Sequence, residues 1–130
     1  MTSVLEGVTV LDLSHGVAGP IATMLLADNG AAVTRIESPE PDPFASWPGT
    51  RVWARGKRSA VLDLQRADER ERFLALASRA DVVVESFRPG VTARLGIDYA
   101  ALSARNPRLI YCSITSRRPE PSPVSASRRG

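Results

Sequence analysis

Sulfur and imidazole are nearly absent: the 130 residues hold one cysteine, Cys112, and one histidine, His15. No internal disulfide can form, and neither residue has a second Cys or His nearby with which to share a metal. No metal is therefore expected, and Cys112 reads as a small core residue. Aromatic residues make up only 5%, and none stands among the arginines at the C-terminal end. No apolar run approaches the roughly 18 residues a membrane span needs, and the opening MTSVLEGV has no signal-peptide pattern. A cytoplasmic protein without a membrane partner is expected. The GxGxxG turn of dinucleotide-binding folds is missing as well.

Charge is unevenly placed. The net charge is +3, and all of it lies in residues 117–130, where Arg117, Arg118, Arg128 and Arg129 face only Glu120. The other 116 residues carry 13 basic and 13 acidic side chains. Four arginines without a stacking or groove-reading element give nonspecific attraction to phosphate and no more, so no nucleic-acid partner is expected. The segment 116–130, RRPEPSPVSASRRG after Ser116, reads as a disordered basic tail rich in Pro, Ser and Arg. Residues 1–115 read as one domain with its own core.

What that domain contains is a regular alternation. VTVLDL (8–13) is short, apolar and β-branched, as in a strand buried on both faces. The loop SHGVAGP follows, then a helix with Pro20 in its first turn, apolar residues Ile21, Met24 and Leu25, and a stop at Gly30. AAVTRIE (31–37) reads as a second strand and SPEPDPFASWPG as an extended loop. SAVLDL (59–64) reads as a third strand, followed by a helix over ADERERFLALASRA with acidic residues first and Phe73, Leu74 and Ala77 on one face. DVVVESF (81–87) and LIYCSIT (109–115) complete five strands, separated by a helical region that breaks at Gly96 and ends before Pro107. Continuous apolar strands alternating with helices predict an α/β, Rossmann-like parallel sheet with helices on both faces. Ligands in such sheets sit beyond the carboxyl ends of the strands, here the loops after Leu13, Glu37, Leu64 and Ser86.

In those loops several residues could carry chemistry. SHGVAGP puts small residues and a helix N-terminus after a strand, which suits a phosphate and equally a plain tight turn. Nothing beside His15 in the sequence would make it a base, and it reads as a structural or solvated residue. SFRPG (86–90) sets an aromatic, an arginine and a rigid turn at the end of a buried strand, an arrangement that could wall a ligand. Arg94 is placed to reach the same mouth, where a guanidinium would suit phosphate; it reads equally as a surface arginine. Arg55 and Lys57 read as a solvated basic loop, with Trp47 and Trp53 hinting at a partly buried lid.

Taken in order, VLDLSHGVAGPIATMLLADNGAAVTRIESP, RGKRSAVLDL, ADVVVESFRPGVTARLG and NPRLIYCSIT resemble the N-terminal region of family III coenzyme A transferases. That family includes formyl-CoA transferase and carnitine CoA-transferase, with α-methylacyl-CoA racemase as a close relative. The resemblance covers residues 5–115. It implies a CoA-binding, Rossmann-like domain forming the N-terminal part of a larger fold, in subunits that interlock as a homodimer. An acyl-CoA and a carboxylic acid are the implied substrates. Carried over by position, contacts to coenzyme A fall on Val17 and Ala18, on Ser38, on Leu62, Asp63, Leu64 and Gln65, on Ser86, Phe87 and Arg88, and on Arg94. A racemase and a noncatalytic nucleotide-binding module, with Glu37 gripping ribose, are the alternative readings.

The sequence departs from the family pattern at three places. Ser38 stands where relatives often have arginine, which implies weaker or shifted coenzyme A binding unless Arg35 or Arg55 compensates. Ala54 and Ser86 stand where asparagine is common. Ser116 stands where a glycine-rich loop would begin, ahead of the aspartate that attacks the thioester in transferases, or of the histidine and aspartate that move a proton in racemases. No catalytic residue is therefore expected among these 130. A change of frame or a cut after Thr115 is the expected cause, to be checked by sequencing across codon 116.

Overall fold

The computed structural model describes residues 3–115. The expectations for residues 116–130, the disordered tail among them, lie outside the described residues. Five strands, β1 (Thr9–Leu13), β2 (Ala32–Glu37), β3 (Arg58–Val61), β4 (Val82–Glu85) and β5 (Ile110–Ser113), form one sheet in the order β3-β2-β1-β4-β5. Every neighbouring pair is parallel, with Val10 opposite both Val33 and Val82. The helices are α1 (Ala18–Asp28), α2 (Thr50–Trp53), α3 (Ala67–Ala77), α4 (Val91–Leu95) and α5 (Tyr99–Arg105). The α/β reading holds, and a single helical turn over Thr50–Trp53 follows the segment expected to be extended.

Alternation along the strands divides the core between two faces. Leu11, Leu13, Ile36 and Val83 point to the face covered by Phe73, Leu74 and Ala77 of α3, Ile97, and Leu102 of α5. Val10, Val33 and Val84 point the other way, against Leu26 and Ala27 of α1. Helices therefore cover both faces, as right-handed crossovers in a sheet of this order require. Pro20 lies in the first turn of α1, where its missing N–H costs nothing. Gly96 closes α4 in the left-handed region at φ 73°, the position at which the helical pattern was expected to break.

Asp98 starts α5, its side chain accepting the Ala101 N–H at 3.0 Å. Asp98→Ala is expected to lower stability by about 1 kcal/mol, the usual cost of losing such a cap, in urea denaturation. An unchanged midpoint would show that the cap contributes nothing.

Two expectations about the last strand are corrected. β5 is an edge strand, and Ile110 is 63% exposed. Cys112 is an exposed free thiol, not a core residue. Its apolar sequence resembles that of β4, but no described element packs on its outer side.

Candidate functional site

The strand order reverses between β1 and β4, so the loops that leave their carboxyl ends diverge and open a crevice. Two cavities occupy that end of the sheet. The larger, about 420 Å³, is lined by His15, Arg35, Glu37, Ser38, Glu40, Pro41, Asp42, Pro43 and Phe44. The smaller, about 180 Å³, is lined by Leu13, His15, Ile36, Glu37, Ser38, Leu62, Asp63, Leu64, Gln65, Phe87, Val91, Arg94 and Leu95. His15, Glu37 and Ser38 belong to both.

Of the eleven residues marked out in the sequence, Ser38, Leu62, Asp63, Leu64, Gln65, Phe87 and Arg94 meet in the smaller cavity. Val17, Ala18, Ser86 and Arg88 line neither cavity. Val17 caps α1 and Ala18 opens it. Arg88 is exposed. Ser86 instead holds the first loop from across the crevice: its Oγ accepts the His15 N–H at 2.8 Å and donates to the His15 carbonyl at 3.3 Å. The Phe87 ring is half-buried and meets His15 edge-on at 6.1 Å. Glu85, buried at the end of β4, accepts the Phe87 N–H at 2.9 Å and so fixes where that ring projects.

Beneath the first loop lies a polar cluster that the sequence did not announce. Lys57, read as solvated, has a side chain only 2% exposed. Its Nζ donates to Asp12 Oδ2 at 3.1 Å, to the Pro20 carbonyl at 3.0 Å and to Thr23 Oγ1 at 2.7 Å, which uses all three ammonium hydrogens. Asp12, fully buried in β1, also accepts from the Ser14 N–H at 2.9 Å, from Ser14 Oγ and from Thr23 Oγ1 at 2.6 Å. Burial pushes the Lys57 ammonium below the ordinary lysine range, with Asp12 acting in the opposite direction. The cluster pins α1, β1 and the entry to β3 together. Gly19 completes the turn because no other residue fits: a Cβ there would lie 2.3 Å from Ser14 Cβ.

Of the two arginines proposed to compensate for Ser38, only Arg35 is at the site. It lines the larger cavity beside Ser38 and pairs with Asp42 at 2.9 Å. Arg55 lies on the surface, 53% exposed, paired with Asp28 at 2.7 Å. Glu37, the candidate ribose-binding acid, accepts from Ser59 Oγ at 2.9 Å. Among the described residues no group of three or more His, Cys, Asp or Glu could hold a metal ion.

Beside the crevice, burial raises the Tyr111 hydroxyl to about 12, helped by the nearby Glu85 and Asp98 carboxylates and opposed by a hydrogen bond with Thr92. Because the folded value lies above the unfolded one of 10.0, Tyr111 contributes stability that is fully present below pH 10 and is lost as pH rises towards about 12. In a Tyr99→Phe background, an ultraviolet titration should show Tyr111 ionising at about 12. A midpoint at the ordinary tyrosine value would show the hydroxyl to be solvated.

Comparison with known proteins now decides the family. The family model described as CoA-transferase family III matches residues 5–117. The chain belongs to that family. It is 44% identical over 123 residues to the succinyl-CoA:mesaconate CoA-transferase of Haloarcula hispanica, covering 85% of this chain and 31% of that protein. It is 40% identical over 117 residues to the acetyl-CoA:oxalate CoA-transferase of Acetobacter aceti, covering 83% of this chain and 30% of the other. The crystal structure of Rv3272 from Mycobacterium tuberculosis superposes with a TM-score of 0.81 at 36% identity, over 96% of this chain and 39% of that one. A CAIB/BAIF family protein from Brucella suis gives 0.80 at 38% identity, over 88% and 34%. The chain thus spans about a third of the length of the curated relatives it matches. No helix among its described residues is long and apolar enough to cross a membrane.

Proposed function

We propose that this chain is the coenzyme A-binding, N-terminal portion of an acyl-CoA:carboxylate CoA-transferase. One observation carries the reading. Seven residues that the family resemblance assigns to coenzyme A, drawn from the ends of β2, β3 and β4 and from α4, converge on one cavity. Apolar walls from Leu62, Leu64 and Phe87 suit a long thin ligand, and Arg94 supplies the charge for one of its phosphates. The relatives compared above carry transferase names, which favours transfer over racemisation. The resemblance further supports a cytoplasmic homodimer acting on an acyl-CoA and a carboxylic acid.

Within these residues the chain binds and orients; it does not supply the attacking carboxylate. Asp12, Asp28, Asp63 and Asp81, which lie on or beside the strands and the first helix, each have a structural partner already. Asp12 is buried against Lys57, Asp28 pairs with Arg55, and Asp81 accepts the Thr9 N–H at 2.8 Å. Asp63 lies in the smaller cavity but accepts the Gln65 N–H at 3.0 Å, closing the turn after β3.

Calorimetric titration of the 130-residue chain with coenzyme A and with NAD tests the proposal. Coenzyme A should bind and NAD should not. The reverse result would make this a dinucleotide-binding module with Glu37 on the ribose. Incubation with an acyl-CoA and labelled free acids should give neither turnover nor a hydroxylamine-trapped adduct. An adduct on any of the four aspartates would place the attacking group inside this segment.

A further inference from the structure

The single histidine of the chain occupies the junction of the two cavities and lines both. Its backbone is clamped on both sides by Ser86, and its ring is braced edge-on by Phe87. Yet among the described residues its buried Nδ1 has no hydrogen-bond partner. A neutral imidazole carries one N–H and one bare nitrogen. A buried N–H without an acceptor forfeits a hydrogen bond that water would have supplied, so the orphaned position belongs to the bare nitrogen. The hydrogen then sits on Nε2.

We infer that His15 is held as the Nε2–H tautomer and donates this hydrogen to an oxygen of the ligand where it passes from one cavity into the other. The inference rests on the coenzyme A reading for the identity of the ligand. The acceptor is a pyrophosphate oxygen or an amide carbonyl of the pantetheine arm, two acceptors of the same hydrogen bond. Ser86 and Phe87 act through His15 as positioning residues: together they fix the height and tilt of the donor. A histidine with no acid beside it in the sequence thus has a use that needs none, since a hydrogen-bond donor transfers no proton.

The experiment uses the full chain labelled with ¹⁵N-histidine, in which one residue gives the only imidazole signals. Long-range ¹H–¹⁵N spectra, recorded in mildly alkaline buffer where an ordinary histidine is neutral, should show hydrogen on Nε2 in the free protein. Saturating coenzyme A should move Nε2 and leave Nδ1 nearly in place. ADP moving the same signal would place the acceptor on the pyrophosphate; pantetheine moving it would place it on the amide. His15→Phe, which keeps the ring contact with Phe87 but has no donor, should weaken coenzyme A roughly three- to tenfold. His15→Gln, whose side-chain amide restores a donor near the Nε2 position, should return affinity to within about twofold of the wild type. An Nδ1–H tautomer, an Nε2 signal indifferent to bound coenzyme A, or full affinity in His15→Phe would overturn the inference while leaving the coenzyme A reading intact. Absence of any coenzyme A binding by the wild type would instead remove that reading and the donor's partner with it.

Discussion

Lys57→Ala should lower the stability of the chain by about 3–5 kcal/mol, the cost of leaving one partner of a buried ion pair alone. The Asp12 carboxylate would keep its hydrogen bonds from Ser14 and Thr23 but lose its counter-charge in a buried site. Small domains hold only about 5–15 kcal/mol in total, so the variant stands near the edge of folding. Guanidinium denaturation is the measurement, with the shift in midpoint read at constant slope. A loss below about 1 kcal/mol, the range of exposed pairs, would show Lys57 to be solvated after all. Replacing both partners, as Lys57→Met with Asp12→Asn, should recover much of the loss because no bare charge is then buried. The lowered Lys57 value adds a pH signature. The folded state gives up this proton before the unfolded state does, so the cost of burying the ammonium is relieved as pH climbs from the folded value towards the ordinary lysine value of 10.5. This trend is opposite in sign to that of Tyr111.

Arg94→Ala should weaken coenzyme A by about 1.5–3 kcal/mol, the scale of a hydrogen bond to a charged group. That corresponds to a roughly ten- to 150-fold higher Kd. Arg94 is exposed, lines the smaller cavity, and is engaged in no salt bridge among the described residues, so its guanidinium is available to a ligand. Arg94→Lys should recover part of the loss, since an ammonium keeps the charge but not the planar fork. Calorimetry with coenzyme A gives the answer directly. The loss should shrink as salt is raised, because the contact is partly screened. Equal affinities for wild type and Arg94→Ala would leave Arg94 as an ordinary surface residue.

The strands and their polarity were readable because each is a local pattern. VTVLDL and DVVVESF carry apolar residues on both faces, and only a sheet covered on both sides uses such strands. The strand-end loops followed from that polarity, and Phe87 and Arg94 stood out within them, whereas Ser38, Leu62, Asp63, Leu64 and Gln65 came only from the family resemblance. Lys57 was misread for a physical reason: its partners lie on β1 and α1, 45 and 34 residues away, and no local pattern reports a tertiary pair. The histidine's position was equally hidden, since Ser86 and Phe87 reach it only across the crevice. β5 shows the converse. Its residues are those of a buried strand, but burial depends on what lies over a strand, and in the described residues Ile110 faces outward.

The position of β1 at the centre of the sheet has a consequence for the chain as it is made. The earliest made of these five strands is flanked on one side by β2 and on the other by β4, with Val10 opposite Val82. At 5–20 residues per second, synthesis places about 4–15 s between these two valines. Throughout that interval β1 has at most one neighbour, and the face of α1 has only half of its floor. Protection against premature association must then come from β2 and α1 closing over β1 first. A pause in translation before β4 would lengthen the most vulnerable state of the nascent protein.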